Sequence, residues 1–156
     1  MAHFRKILPI ILLLSVRPLF ATGMDEILTG PESKLCQTKK SGDDDLLTYI
    51  DCLKDEESKV DKAMKTTFDK SLATVQSDDW LLPNVDYENS NSDIVEKTRE
   101  AFISNQKNWQ KGSMQFCELA TSRISASAPL HSPLLIQCRI NMKKKRIEAL
   151  NYFSVE

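Results

Sequence analysis

The sequence predicts an all-α protein, three main helices packed as a disulfide-pinned helical bundle with an acidic loop between the first two. Three observations lead there. Apolar residues recur at steps of three and four through long proline-free stretches, and nowhere do they alternate as a half-buried strand requires. Four cysteines, at 36, 52, 117 and 138, form an even set in a chain that opens with an export-type segment. Finally, residues 77–93 interrupt the helical pattern with Pro83, several Asn and Ser, and repeated acids.

Residues 1–23 read as a signal peptide. Arg5 and Lys6 form a short basic region, and ILPIILLLSV (7–16) is an apolar run of ten, the length of a signal-peptide core and too short to span a bilayer. Ala21, Thr22 and Gly23 supply small residues for cleavage after Ala21 or after Gly23. Arg17 and Pro18 interrupt the run, which leaves an uncleaved anchor as the alternative. Residues 24–156 then make one domain of 133 residues, expected in the periplasm and free of the membrane after cleavage.

An oxidising compartment turns the four cysteines into two disulfides, with three pairings possible. Cys36–Cys52 and Cys117–Cys138 are favoured, because each closes a short loop that would stabilise the fold by about 3 kcal/mol on the chain-entropy argument. Zinc is the rival for any four-Cys set, but no CxxC pair occurs and the separations are wide. No metal or cofactor is expected.

Taken in order, residues 24–36 with Gly30 and Pro31 read as a lead-in segment. Asp43, Asp44 and Asp45 precede an apolar run, where a capping carboxylate favours a helix start. The first helix is expected over 46–76, with Leu46, Ile50, Leu53, Val60, Met64, Phe68, Leu72 and Val75 forming its stripe. Glu57 interrupts that stripe, as a helix edge or as a residue with a buried partner.

The loop 77–93 carries Trp80, Leu81, Leu82, Val85 and Tyr87, an unusual load for a solvated linker. Trp80 to Leu82 either fold back over the core or serve as anchors for a partner, ringed by Asp78, Asp79, Asp86 and Glu88. The second helix is expected from Ser92 or Asp93 to Ile124. Taking Trp109 as reference, Phe102, Asn105, Gly112, Phe116, Leu119 and Arg123 share its face, with Gly112 leaving room for a close neighbour. Met64, Phe68, Trp109 and Phe116 are the expected core anchors. A turn over 125–133 leads to a third helix over 134–153, with Ile136, Ile140, Ile147 and Leu150 on one side. The Lys143 to Arg146 run reads as a solvated face that could offset acids on the first helix.

Charge is uneven. Residues 24–100 hold 19 acidic and 10 basic side chains, a net of −9, and residues 101–156 hold 3 and 8, a net of +5. A nucleic acid is thereby excluded as the expected partner, since phosphate binding needs a dominant basic surface. A basic protein partner fits better, unless the two halves neutralise each other within the fold. Catalysis is not expected. The 133 residues contain one histidine, His131, in a turn beside Ser132, and the cysteines are taken up in disulfides. No carboxyl pair sits in the apolar surroundings that would raise a pKa.

The spacings also carry a resemblance. Cys52, Asp61, Met64 and Phe68, then Gln106, Trp109 and Cys117, then Cys138, Arg146 and Leu150 follow the pattern of the LprI-like lysozyme-inhibitor domain family of exported bacterial proteins. The chain resembles that family over residues 36–150. It departs at Ser113, where Arg is common, at Lys143, where Thr is usual, and at Lys65, where Asn is usual. The resemblance implies a small helical periplasmic protein, similar to inhibitors that bind lysozyme. The expected contacts are Asp78, Asp79, Trp80, Asp86, Tyr87 and Glu88, on composition alone. The expected partner is lysozyme or another cell-wall hydrolase. The alternatives are immunity against a cell-wall-directed toxin delivered by a competitor, and an envelope scaffold without inhibitory activity.

Overall fold

The computed structural model describes residues 26–40, 42, 45–77, 80 and 91–154, apart from the side chains of 91–93. The described residues are mainly helical and contain no strand. A turn at 26–28 leads to α1 (Pro31–Gln37), α2 (Leu46–Val75), α3 (Asn91–Thr121) and α4 (His131–Asn151). The three long helices lie where the periodicity places them, and both disulfides are Cys36–Cys52 and Cys117–Cys138. No free cysteine remains.

The last two helices end two or three residues earlier than expected, at Thr121 and Asn151, and two helix starts differ for local reasons. The lead-in segment contains a helix, α1, because Pro31 occupies a first-turn position, where its missing N–H is not needed and its fixed φ already suits a helix. Likewise α4 begins at His131 instead of 134. Pro133 sits in the first turn, among N–H groups that have no intrahelical acceptor. At α2 the expected cap holds: Asp45 Oδ1 accepts from the Thr48 N–H at 3.2 Å. Asp43 and Asp44 lie outside the described residues.

The helix at the centre is α4, packed most extensively on α2, then on α3, with α1 laid against it at one end. One core cluster gathers around the first disulfide, with Tyr49, Leu53, Ile136 and Ile140. The other gathers Met64, Val75, Phe102 and Leu150, flanked by Phe68, Trp80, Trp109 and Phe153. Phe68 stacks on Phe102 with centroids 5.3 Å apart, and Phe153 meets Phe102 edge-on at 5.3 Å. Such pairs add about 0.5–1.5 kcal/mol each beyond burial. Ser71, buried on α2, closes this end by donating to the Leu150 carbonyl at 2.8 Å.

The first cluster is organised by two polar side chains that periodicity does not reveal. Gln137, fully buried on α4, accepts from the Ser33 N–H at 2.9 Å and donates to Glu32 and Asn141 at 3.0 Å each. One turn on, Asn141 Nδ2 donates to the carbonyls of Ile27 and Thr29 at 2.9 and 2.8 Å. Together they hold the chain before α1, and α1 itself, onto α4. Glu32 adds an ion pair with Lys144. Burial opposes its ionisation, yet the hydrogen bonds from Lys144 and Gln137 outweigh that and hold its carboxyl below the ordinary value of 4.5.

Among the described residues, no helix is long and apolar enough to cross a membrane.

Two glycines should respond oppositely to alanine. A Cβ on Gly30 would overlap the Gln137 amide, whereas nothing lies within 4 Å of one on Gly112. Gly30→Ala should destabilise by about 1–3 kcal/mol, and Gly112→Ala should stabilise by about 0.5–1 kcal/mol, both read from urea denaturation midpoints. The lowered carboxyl at Glu32 predicts a stability contribution that is complete above pH 4.5 and is lost as pH falls through the folded value. Glu32→Gln should therefore be less stable at neutral pH and show a shallower acid limb, measured by urea midpoints across pH 2–7.

Candidate functional site

The positions that carry the family resemblance converge on the middle and one end of the bundle. Met64 on α2 is buried, and Gln106 on α3, also buried, approaches its Sδ at 3.9 Å through Nε2. The Gln106 Oε1 accepts from Arg146 Nε at 2.8 Å, and Arg146 Nη2 donates to Asn105 Oδ1 at 2.7 Å. The Arg146 guanidinium lies over the Trp109 ring, 5.5 Å from its centroid. No carboxylate is among these contacts; two amides and an aromatic face take the charge, and burial pushes the guanidinium pKa down. Phe68 and Leu150 belong to the adjoining cluster, and the disulfide Cys117–Cys138 lies two turns along α3 from Trp109.

Between the two core clusters runs a charged belt. Lys143 on α4, only 17% exposed, reaches Glu57 and Asp61 on α2, each at 2.8 Å. Glu57, itself 17% exposed, thus interrupts the apolar stripe as a residue with a partly buried partner. The Lys143 to Arg146 run divides accordingly: Lys143 pairs with α2, Lys144 with α1 and Arg146 with α3, while Lys145 is exposed. Part of the charge asymmetry between the two halves of the chain is therefore neutralised internally.

α2 packs only sparsely on α3, and a groove lies between them. Towards the α4 floor it holds a cavity of about 170 Å³ lined by Glu57, Ser113, Met114, Arg139 and Lys143. Further along, a cavity of about 380 Å³ is bounded by Asp61, Met64, Phe68, Ile103 and Lys107 among others. Ser113 and Lys143, two of the three departures from the resembled pattern, face the same cavity.

The expected face of α3 is displaced. The buried positions are Phe102, Gln106, Cys117 and Thr121, with Trp109 and Ser113 partly covered. Phe116 is 39% exposed and Leu119 71% exposed, and Gly112 has no close neighbour. Phe116 is thus not a core anchor, whereas Met64, Phe68 and Trp109 take part in the core cluster. The cause is rotational: Cys117 must point at Cys138, and the residue before it is turned about 100° away. The inward run 102, 106, 113 and 117 was masked in the sequence by its polar members, Gln106 and Ser113.

Trp80 lies partly buried against Phe153, centroids 5.4 Å apart, and caps the second core cluster. Asp78, Asp79, Asp86, Tyr87 and Glu88 lie outside the described residues. His131 is the first residue of α4. Among the described residues no group of three or more His, Cys, Asp or Glu is placed to hold a metal ion.

Replacing Arg146 by Lys keeps the charge but removes the fork that serves Gln106 and Asn105 and the planar contact with Trp109. A loss of about 1–2 kcal/mol is expected, against no measurable change for Lys145→Ala, as read from denaturation midpoints. Compared with protein-family models, with curated proteins and with solved structures, the chain matched none.

Proposed function

We propose that this chain is an exported, periplasmic protein of the LprI-like kind that binds and inhibits a lysozyme or related cell-wall hydrolase. The observation that carries the reading is the meeting of Met64, Gln106, Trp109 and Arg146 in one packed unit. Residues quoted for the resemblance from three separate helices thereby share one structural job, which supports this reading of the spacing pattern. Two disulfides fit an oxidising compartment.

Inhibition asks little of such a scaffold. Lysozyme is basic and acts through two carboxylates in a cleft that must admit a sugar chain. A rigid protein that covers the cleft stops turnover, with acidic side chains hastening association and a few apolar or aromatic groups slowing release. The acidic segment between α2 and α3 supplies Asp78, Asp79, Asp86, Tyr87 and Glu88 for that contact. Trp80, held against Phe153, ties the segment to the bundle and would limit the ordering penalty on binding.

The disulfide-bonded protein, added to lysozymes of several types digesting cell walls, should reduce turnover saturably near equimolar ratio. Full turnover at large molar excess with every type would overturn the proposal. Asp78→Asn with Asp79→Asn should weaken inhibition by about ten-fold, mostly through slower association and more so at low salt, with helicity unchanged by circular dichroism.

A further inference from the structure

We propose that the α2–α3 groove is a ligand site for an aliphatic monocarboxylate, with the carboxylate held by Arg139 and the alkyl chain lying against Met64, Phe68 and Ile103. The site is distinct from the acidic segment assigned to partner contact, and its occupancy is read on this protein alone.

Arg139 supplies the first observation. Its Nε is buried and has no hydrogen-bond partner among the described residues. A buried donor of a charged group left without an acceptor is strongly unfavourable, so few are retained without reason. The carboxylates that line the groove are already engaged, since Glu57 and Asp61 both accept from Lys143 at 2.8 Å. Arg139, itself partly buried, also lines the cavity of about 170 Å³ beside Lys143 and Ser113, so a guanidinium whose buried Nε lacks an acceptor borders a space of small-anion size.

The chemistry of the walls narrows the ligand. A guanidinium presents a planar fork that matches the two oxygens of a carboxylate. Lys143 is already matched by Glu57 and Asp61, so Arg139 brings the one positive charge here without an acceptor; a single negative charge balances it, whereas a dianion such as phosphate would leave a surplus beside two carboxylates.

On the other side of the Lys143–Asp61 pair lies the second cavity, of about 380 Å³, with Met64, Phe68 and Ile103 on its walls. Glu57 and Phe68 are eleven residues apart on α2, so the two cavities together follow the helix for about 16 Å. The backbone groups on both sides are used within α2 and α3, and Gln106 is committed to Met64 and Arg146. An extended peptide would find few partners for its own amides there, while an alkyl chain needs none. The disulfide Cys117–Cys138 holds the wall carrying Ser113 against the wall carrying Arg139, which sets the cavity before any ligand arrives.

The test is isothermal titration of the full disulfide-bonded chain with sodium decanoate, acetate, inorganic phosphate and a short acidic peptide. Decanoate should bind saturably at one per chain, about ten-fold or more tighter than acetate, phosphate or the peptide. Arg139→Gln should weaken decanoate about ten-fold or more, and Ile103→Gln should weaken decanoate while leaving acetate unchanged. Absence of saturable decanoate binding would overturn the proposal. So would undiminished binding by a folded Arg139→Gln variant, or tighter binding of phosphate or the peptide. Should Arg139→Gln fail to fold, Arg139→Lys serves in its place: weaker decanoate binding supports the forked contact, and unchanged binding refutes it.

Discussion

The bond between Cys117 and Cys138 decides which side of α3 turns inward. A helix of thirty-one residues with mixed composition could settle against α4 in several rotations, because its exposed side carries Phe116 and Leu119 and its inner side carries Gln106 and Ser113. A covalent link with its Cα atoms 5.7 Å apart removes that freedom. Once Cys117 points at Cys138, Gln106 falls beneath Arg146, Trp109 lies under the guanidinium, and Phe102 stacks on Phe68. The same rotation leaves α2 and α3 apart along the groove that holds Arg139.

The other end of the bundle is fixed by polar contacts as much as by apolar burial. Gln137 and Asn141, one turn apart on α4, reach across to α1 and to the carbonyls of the turn before it. Each buried amide that finds all its partners specifies one arrangement, since any shift leaves donors or acceptors unmet. Cys36–Cys52 then ties α1 to α2. The short helix α1 is too brief to persist alone, and it exists because these contacts hold it.

What the sequence disclosed follows from where apolar periodicity governs. α2 was legible from its stripe and its Asp45 cap, and the short loops between cysteines pointed to the observed pairing. Glu57 was legible as an interruption, although its partner Lys143 lies eighty-six residues away and local spacing could not supply it. The face of α3 was misread because Phe116 and Leu119 outweigh Gln106 and Ser113 on hydropathy, while the constraint that decides the matter is a distant cysteine. α1 was missed because a seven-residue helix has too little pattern, and Pro31 reads equally as a turn residue or as a first-turn residue. Arg139 carried no signal beyond being a charged residue after Cys138; its want of an acceptor is a property of the packing.

The bundle depends on two local crosslinks that do not cross, and peptide mass mapping under non-reducing conditions reads them directly. Protein recovered from its native compartment should yield one peptide pair joined through Cys36 and Cys52 and another through Cys117 and Cys138, with no free thiol. A crossed pair, such as Cys36 with Cys138, would contradict the assigned rotation of α3 and the groove beside it, and four free thiols would contradict the crosslinked bundle itself.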